Sequence, residues 1–295
     1  MRMSQITSFD GTRLAVQSRG PEAAPVVVLV HGLGLSADSW RRVAGPLSGG
    51  HRVVAYDLRG HGRSAPASGG DYSMRAHALD LDAVLREVVP EGRDAVLVGN
   101  SLGGGVIVAR AHHCGTRGMA GVVFAGSGAS GVTVPGLPAR RLPDRVEAAV
   151  RTAWLKALLL VARAGRHLRP VESVSDRIVR RCAFTSHAPR DLVAEVRDDF
   201  LRTRPQALAG TTLASVSHDG RRMAPDLAVP ALVLHGSRDP EVPRREVREL
   251  LADLPDAEFV TLRGEGHMLP LTDPHVVESH VERWVARVQP GRATA

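Results

Sequence analysis

Short runs of consecutive apolar residues alternate along this chain with longer stretches in which apolar residues recur at helical spacing. Six short runs are rich in valine and leucine; they span residues 24–30, 51–58, 94–100, 121–127, 230–236 and 257–264. Such runs are typical of strands that are buried on both faces of a parallel sheet. The amphipathic stretches lie near residues 37–48, 74–89, 101–114, 243–253 and 274–288. The alternation predicts an α/β fold with a mostly parallel, doubly wound sheet.

The first segment follows a different pattern. In "ITSFDGTRLAV", Asp10 and Gly11 stand between two short β-type runs. Asp-Gly is a preferred pair for the tight turn of a hairpin. We therefore expect an N-terminal antiparallel hairpin at one edge of the sheet.

The strand and helix alternation stops after "FAGSGASG". Residues 133–210 have the pattern of helices that are interrupted by six prolines, and the strand pattern resumes at residue 230. The sequence predicts a helical cap inserted over residues 133–210. Residues 1–132 and 211–295 would then form the core.

Composition excludes several classes of protein. The net charge is +7, but aromatic residues make up only 3% of the chain and no nucleic-acid-binding pattern occurs. The N-terminal segment has no signal-peptide pattern, and "WLKALLLVA" is about half the length that spans a bilayer. Cys114 and Cys182 are too few for a disulfide framework and lack zinc spacing. We expect a cytoplasmic protein with reduced thiols, no nucleic-acid partner, no metal and no stable membrane insertion.

The positive charge is concentrated in the predicted cap. Residues 140–205 contain 15 basic and 8 acidic side chains. Two interpretations stay open: a solvated lid surface, or a surface that attracts an anionic partner. That partner would be an acyl group on a phosphopantetheine thioester carrier or an anionic membrane surface.

The clearest chemical motif is Gly99-Asn100-Ser101-Leu102-Gly103, which fits the pattern G-x-S-x-G. In this pattern the serine occupies a strained turn between a strand and a helix, and its hydroxyl projects from the backbone. Side chains at positions 99 and 103 would collide with that turn. Glycine-rich turns of this kind also bind phosphates, so the motif is not decisive alone.

Four further motifs follow the predicted strands in order: H-G-L-G at 31–34, D-L-R-G-H-G-R-S at 57–64, H-G-S-R-D-P at 235–240 and G-E-G-H-M at 264–268. With these motifs, the chain resembles the α/β-hydrolase family from about residue 5 to residue 288. The resemblance is to the serine-nucleophile branch with a helical cap, which includes esterases and lipases.

The resemblance implies a catalytic triad of Ser101, Asp239 and His267, in the chain order of this fold. A serine hydroxyl needs an adjacent base, and the base needs a carboxylate that orients it. Glu241 stays open as a substitute for the acid. The alternative acid position of some members, after the run at 121–127, is empty because no carboxylate occurs there through Pro143.

The resemblance also implies an oxyanion hole made by the backbone N–H groups of Leu33 and Leu102. His31, Gly32, Gly99 and Gly103 support the two loops that carry these donors. Members with cofactor-free perhydrolase activity often have an aromatic residue at the position of Leu33, which disfavours that activity here. No metal or organic cofactor is implied.

The leading functional hypothesis is a serine hydrolase that cleaves a small to medium apolar carboxylic ester or lactone through an acyl-enzyme. The first alternative is a thioesterase or a hydrolase of carbon–carbon bonds. "GNSLGG" resembles the elbow of the latter group, but methionine follows His267 where that group tends to have tryptophan. The second alternative is a non-hydrolytic binding or biosynthetic protein on the same scaffold.

Overall fold

A computed structural model describes residues 1–128, 146, 153, 176–177, 179–181, 183–185 and 188–290. The described strands form one eight-stranded sheet in the order β1-β2-β4-β3-β5-β6-β7-β8. The strands are β1 (Arg2–Thr7), β2 (Arg13–Arg19), β3 (Val26–Val30), β4 (Arg52–Tyr56), β5 (Ala95–Asn100), β6 (Met119–Ala125), β7 (Ala231–Gly236) and β8 (Ala257–Leu262). From β4 to β8 all neighbouring strands are parallel. The predicted α/β fold is confirmed.

Helices lie between the strands and after the last one. They are α1 (Arg41–Leu47), α2 (Met74–Val88), α3 (Leu102–Cys114), α4 (Arg190–Arg202), α5 (Pro205–Ser217), α6 (Gly220–Met223), α7 (Arg244–Asp253), α8 (Leu269–Thr272) and α9 (Pro274–Val288). Short 3-10 turns span Ala37–Trp40 and Ala224–Asp226. In the part of the chain that the structure describes, no helix has the length and apolar character needed to cross a bilayer.

The inner strands β3, β5 and β7 are buried on both faces, which explains their unbroken apolar runs, whereas the edge strand β8 is only half-buried. In β3, Val26, Val28 and Val30 pack into one hydrophobic cluster, whereas Val27 and Leu29 pack into a second one. Successive side chains of a strand point to opposite faces, so a strand between two cores must be apolar at every position. The carboxyl ends of β3, β5 and β7 lead from this buried interior into loops that carry motifs, and that of β8 leads there from the edge of the sheet.

The N-terminal hairpin is confirmed at the edge of the sheet, where β1 pairs antiparallel with β2. Gly11 has φ +84°, and its N–H donates to Ser8 O. The Asp10 carboxylate accepts the N–H of Thr12 at 3.0 Å. The turn thus uses the positive φ that glycine tolerates and the local hydrogen bond that aspartate offers.

Only part of the predicted cap lies within the described residues. Helix α4 belongs to it, and α5 runs beyond its predicted end at residue 210; the limits of the cap stay a prediction. Glu195 on α4 pairs with Arg41 and Arg42, and Asp199 accepts a hydrogen bond from Ser36 Oγ at 2.8 Å. Helix α4 is therefore held against the loop that follows β3.

Candidate active site

Ser101 occupies the strained turn that the sequence predicts. It lies between β5 and α3 with φ 51° and ψ −118°, and it is the only non-glycine residue with a positive φ in the described ranges. A Cβ atom at Gly99 would lie 2.5 Å from Gly104 N, and one at Gly103 would lie 2.2 Å from Val30 O. Strain of this kind persists only where the surroundings impose it. Close backbone packing imposes it here.

Side-chain hydrogen bonds tie the elbow to its neighbours. Asn100 Nδ2 donates to Ala125 O at 2.7 Å and to His267 O at 3.4 Å. Ser127 Oγ donates to Ser101 O at 3.1 Å. Sequence patterns indicate no role for Asn100 beyond its place in the turn, and none for Ser127. Their partners are backbone atoms distant in sequence, so no local pattern could indicate these contacts.

The structure joins Asp239 to His267 directly. Asp239 Oδ2 lies 3.0 Å from His267 Nδ1, and Asp239 Oδ1 accepts the backbone N–H groups of Glu241 and Val242 at 2.8 and 2.9 Å. Burial by itself raises the pKa of Asp239. The His267 charge and these hydrogen bonds outweigh burial and hold the pKa below its usual value. The carboxylate is therefore ionised near neutral pH.

Glu241 contacts the other nitrogen of the same ring. Its Oε2 lies 2.9 Å from His267 Nε2, and the two side chains are 10% and 2% exposed. Burial lowers the pKa of His267, but Asp239 and Glu241 outweigh it and raise the pKa well above 6.5. Both ring nitrogens face carboxylates, so the ring is held as an imidazolium. No hydrogen bond joins Ser101 Oγ to His267 in this arrangement.

The two expected oxyanion donors lie in loops that meet at the elbow. A Cβ atom at Gly32 would lie 3.3 Å from Ser101 Cβ, so the loop with Leu33 packs directly against the serine. Leu102 is the first residue of α3, where the backbone N–H has no partner within the helix. Neither the Leu33 N–H nor the Leu102 N–H donates to another residue in the described ranges. Both stay available for a ligand oxygen.

His31 fixes the loop that carries Leu33. The Leu58 N–H donates to His31 Nε2 at 2.9 Å, so the other nitrogen, Nδ1, carries the proton and donates to Gly32 O at 2.8 Å. Burial lowers the pKa of His31 to about 4. His31 is therefore neutral at physiological pH and holds a loop, as the sequence indicated.

Two charged side chains of the 57–64 loop, Asp57 and Arg59, also have structural roles. Asp57 accepts the N–H groups of Ala37 and Arg63 at 2.7 and 2.8 Å. Arg59 is fully buried and binds both oxygens of Asp80, at 2.6 and 2.7 Å. A paired and fully hydrogen-bonded charge is the form in which proteins tolerate burial. This loop thereby supports the start of the 37–47 segment beside the elbow.

In the described part of the chain, no three His, Cys, Asp or Glu side chains are grouped so that they could hold a metal ion. Cys114 is a free thiol. Cys182 lies outside the described residues. Half of the arginines of the basic segment, residues 140–205, also lie outside them.

Comparisons with known proteins relate the whole chain, rather than single residues of the site, to a family. A family model described as the alpha/beta hydrolase family matches residues 27–280. Non-heme chloroperoxidase CPO-A1 of Kitasatospora aureofaciens is 27% identical over 268 residues, which cover 88% of this chain and 90% of that protein.

Two solved structures cover nearly the whole chain. The enol-lactonase from Burkholderia xenovorans LB400 is 25% identical with a TM-score of 0.77, and the match covers 96% of this chain and all of that one. Esterase RhEst1 from Rhodococcus sp. ECU1013 is 26% identical with a TM-score of 0.72, over 98% of this chain and all of that one. The family model spans far more than half of the sequence, and the chain therefore belongs to the α/β-hydrolase family.

Proposed function

We propose that this protein is a serine hydrolase that cleaves small to medium apolar carboxylic esters or lactones through an acyl-enzyme. The observation that carries the proposal is the backbone of Ser101, whose φ of 51° stands alone among the described non-glycine residues. A strained residue that its surroundings force into place is a mark of a functional site. The strained turn places the Ser101 hydroxyl at the start of α3, and the loop with Leu33 packs against it. The backbone N–H groups of Leu33 and Leu102 have no acceptor in the described ranges.

The chemistry follows from the three side chains and two backbone donors. Once His267 has released its Nε2 proton to solvent and Glu241 has moved away from that nitrogen, Ser101 Oγ attacks the acyl carbon while His267 Nε2 takes the hydroxyl proton. Asp239 stabilises the resulting imidazolium. The N–H groups of Leu33 and Leu102 bind the oxyanion. His267 then returns the proton to the leaving alcohol as the carbon–oxygen bond breaks. Water attacks the acyl-enzyme by the same route and releases the acid.

Apolar residues around the site support an apolar substrate. Leu35 follows the oxyanion loop and Met268 follows His267, and both belong to one buried cluster with Leu192, Val193 and Val196 of α4. Helix α4 therefore packs against the residue after the oxyanion loop and against the residue after His267. The likeness to an esterase and an enol-lactonase supports an ester or a lactone as the scissile group.

The attraction of an anionic, carrier-linked substrate by the basic segment stays a separate proposal. In the described part of this segment, Arg197 pairs with Asp176 and Asp198, and Arg204 donates to Ser64 O. Because these two arginines bind groups of the protein itself, the contacts favour a structural role for them over attraction of an anionic substrate. A kcat/KM that stays flat from low to high salt would contradict electrostatic steering.

Labelling with a fluorophosphonate tests the nucleophile. The wild-type protein should take one covalent label, and Ser101→Ala should take none and lose hydrolysis by roughly 10³-fold or more. Ser127→Ala is the matched control, because Ser127 is a second buried hydroxyl beside the elbow and should leave labelling in place. Labelling that persists in Ser101→Ala would contradict the assignment.

A substrate panel separates the hydrolytic alternatives. It contains p-nitrophenyl esters of increasing chain length, lactones and acyl thioesters, each tested with the wild-type protein and with Ser101→Ala. We expect esters or lactones to be hydrolysed fastest. Faster hydrolysis of thioesters would favour the first alternative, and absence of both labelling and hydrolysis would favour a non-hydrolytic protein.

A further inference from the structure

Glu241 lies where a leaving group must come. The mechanism above requires the leaving oxygen to approach within hydrogen-bond distance of His267 Nε2, since that nitrogen returns the proton. Nδ1 is not free for this because Asp239 holds it at 3.0 Å. The place beside Nε2 is occupied by Glu241 Oε2 at 2.9 Å. The leaving group and the Glu241 carboxylate therefore compete for one position.

Glu241 cannot leave the site altogether. Its backbone N–H donates to Asp239 Oδ1 at 2.8 Å, and the next N–H, of Val242, donates to the same oxygen at 2.9 Å. Val242 itself is 1% exposed and belongs to the main hydrophobic core. Only the Glu241 side chain can swing aside, so its carboxylate stays within a side-chain length of the leaving group.

In the described part of the chain, the Glu241 carboxylate has no other counter-ion once it moves away from His267. His267 is the only basic side chain paired with Glu241 in the described ranges. A carboxylate that is 10% exposed has little water to replace that partner. A cation on the leaving group would replace it, whereas an anion there would add repulsion.

We propose that Glu241 determines leaving-group specificity: it favours esters whose alcohol part carries a cationic amine and disfavours esters whose alcohol part is anionic. This inference rests on the proposed serine-hydrolase function, and it names the substrate class of the same site as esters of amino alcohols. Glu241 acts on the substrate by charge and takes no part in the bond changes.

Two isosteric esters test the proposal. A choline ester and a 3,3-dimethylbutyl ester with the same acyl chain have the same shape and differ by one positive charge. The acyl chain is the one that the p-nitrophenyl series shows to be best, so the acyl side fits in both. We expect the wild-type kcat/KM to be roughly 10- to 100-fold higher for the choline ester, as a charge pair at this range in a partly buried site allows.

Three variants isolate the charge of Glu241. Glu241→Gln should bring the ratio of the two esters close to one, and Glu241→Asp, which keeps the charge, should retain the preference. Glu265→Gln is the matched control: it removes a carboxylate two residues from His267 that bonds to Thr272 Oγ1 instead. It should keep the wild-type ratio. A wild-type ratio near one, or a ratio that survives in Glu241→Gln, would overturn the proposal.

The pH profile gives a second readout that a purely structural role would not move. The charged or titratable groups that face His267 are Asp239, Glu241 and His235. With one carboxylate removed, Glu241→Gln should shift the acid limb of kcat/KM for the neutral ester to lower pH. An unshifted limb would contradict the contact with Nε2. Loss of fluorophosphonate labelling and of p-nitrophenyl ester hydrolysis in the wild-type protein would instead refute the proposed function itself.

Discussion

Ser101 and His267 lie on two sides of one site, but different forces hold them. On the elbow side, Gly99 and Gly103 admit no Cβ atom, and close backbone packing imposes the strained turn of the serine. On the acid–base side, carboxylates on both ring nitrogens hold the histidine. The elbow side should therefore be sensitive to added volume and indifferent to charge. The acid–base side should be sensitive to charge even where shape is unchanged.

Gly103→Ala should have the largest effect, because its Cβ would lie 2.2 Å from the backbone oxygen of Val30, in the middle of the sheet. Neither the helix nor the central strand can yield. We expect a loss of at least about 5 kcal/mol in the free energy of unfolding, or no folded protein. Urea unfolding followed by circular dichroism measures this.

Gly105→Ala is the control for that experiment. It lies on the same helix, but its Cβ would meet Met74 Cε at 3.4 Å and His218 Cδ2 at 4.0 Å, which are ordinary contacts. Alanine within a helix is favoured over glycine by about 0.5–1 kcal/mol. The variant should be as stable as the wild type or more so, and equal damage from both substitutions would contradict the account of the elbow.

Asp239→Asn should have the next largest effect, on activity with little change in shape. The amide keeps the size of the carboxylate but can no longer stabilise the imidazolium or fix its tautomer. We expect kcat for p-nitrophenyl esters to fall by roughly 10³- to 10⁴-fold in a protein that still folds. A loss of less than tenfold would indicate that Glu241 supplies the acid, the alternative that the sequence left open.

The contributions of His31 and His61 to the free energy of unfolding should change with pH in the opposite direction to that of His267. Burial lowers the pKa of His31 to about 4, and burial together with the His31 charge lowers that of His61 to about 3. Both contribute full stability above pH 6.5, and this is lost as the pH falls, since only the unfolded chain takes up the protons. The loss should be about 2 kcal/mol for each by pH 5.

His267 has the reverse sign because its pKa is raised above 6.5. Its contribution is complete below pH 6.5 and is lost as the pH rises through the raised pKa. Urea unfolding at pH 5, 6.5 and 8 measures both trends. His31→Gln should remove part of the acid-side loss, and an unchanged slope in that variant would contradict its neutral, buried state.

The sequence predicts the elbow side better than the acid–base side, because backbone packing holds the first and flexible charged side chains hold the second. Gly99, Gly103 and Gly32 are required by backbone geometry, and such requirements leave fixed spacings that can be read along the chain. The strands at 26–30 and 95–100 were equally readable because burial on both faces leaves an unbroken apolar run.

Glu241 shows what the sequence could not supply. The motif indicates Glu241 only as a substitute for Asp239, because spacing alone does not say which ring nitrogen a flexible side chain reaches. The contact depends on the turn in which Asp239 accepts two backbone N–H groups and thereby aims residue 241 back at His267. The hydrogen bonds of Asn100 are likewise not predictable from the sequence, because its acceptors lie 25 and 167 residues away.

Asn100→Ala should have the smallest effect, and it tests whether the two sides act as one unit. Its amide nitrogen joins the elbow to Ala125 O and, more weakly, to the carbonyl of His267. Its Oδ1 is buried without a partner in the described ranges, so removing the amide also removes an unsatisfied atom. The stability loss should therefore be modest, about 1 kcal/mol.

A kcat loss larger than that stability change would show that Asn100 aligns Ser101 with His267. We expect roughly a tenfold fall in kcat with KM little changed, because a small misplacement of two reacting groups costs rate more than binding. Ser127→Ala gives the comparison, since the Ser127 hydroxyl donates to Gly99 O and Ser101 O of the elbow and, in the described ranges, makes no hydrogen bond to His267. If both variants lose kcat equally, the link across the site adds nothing to support of the elbow alone.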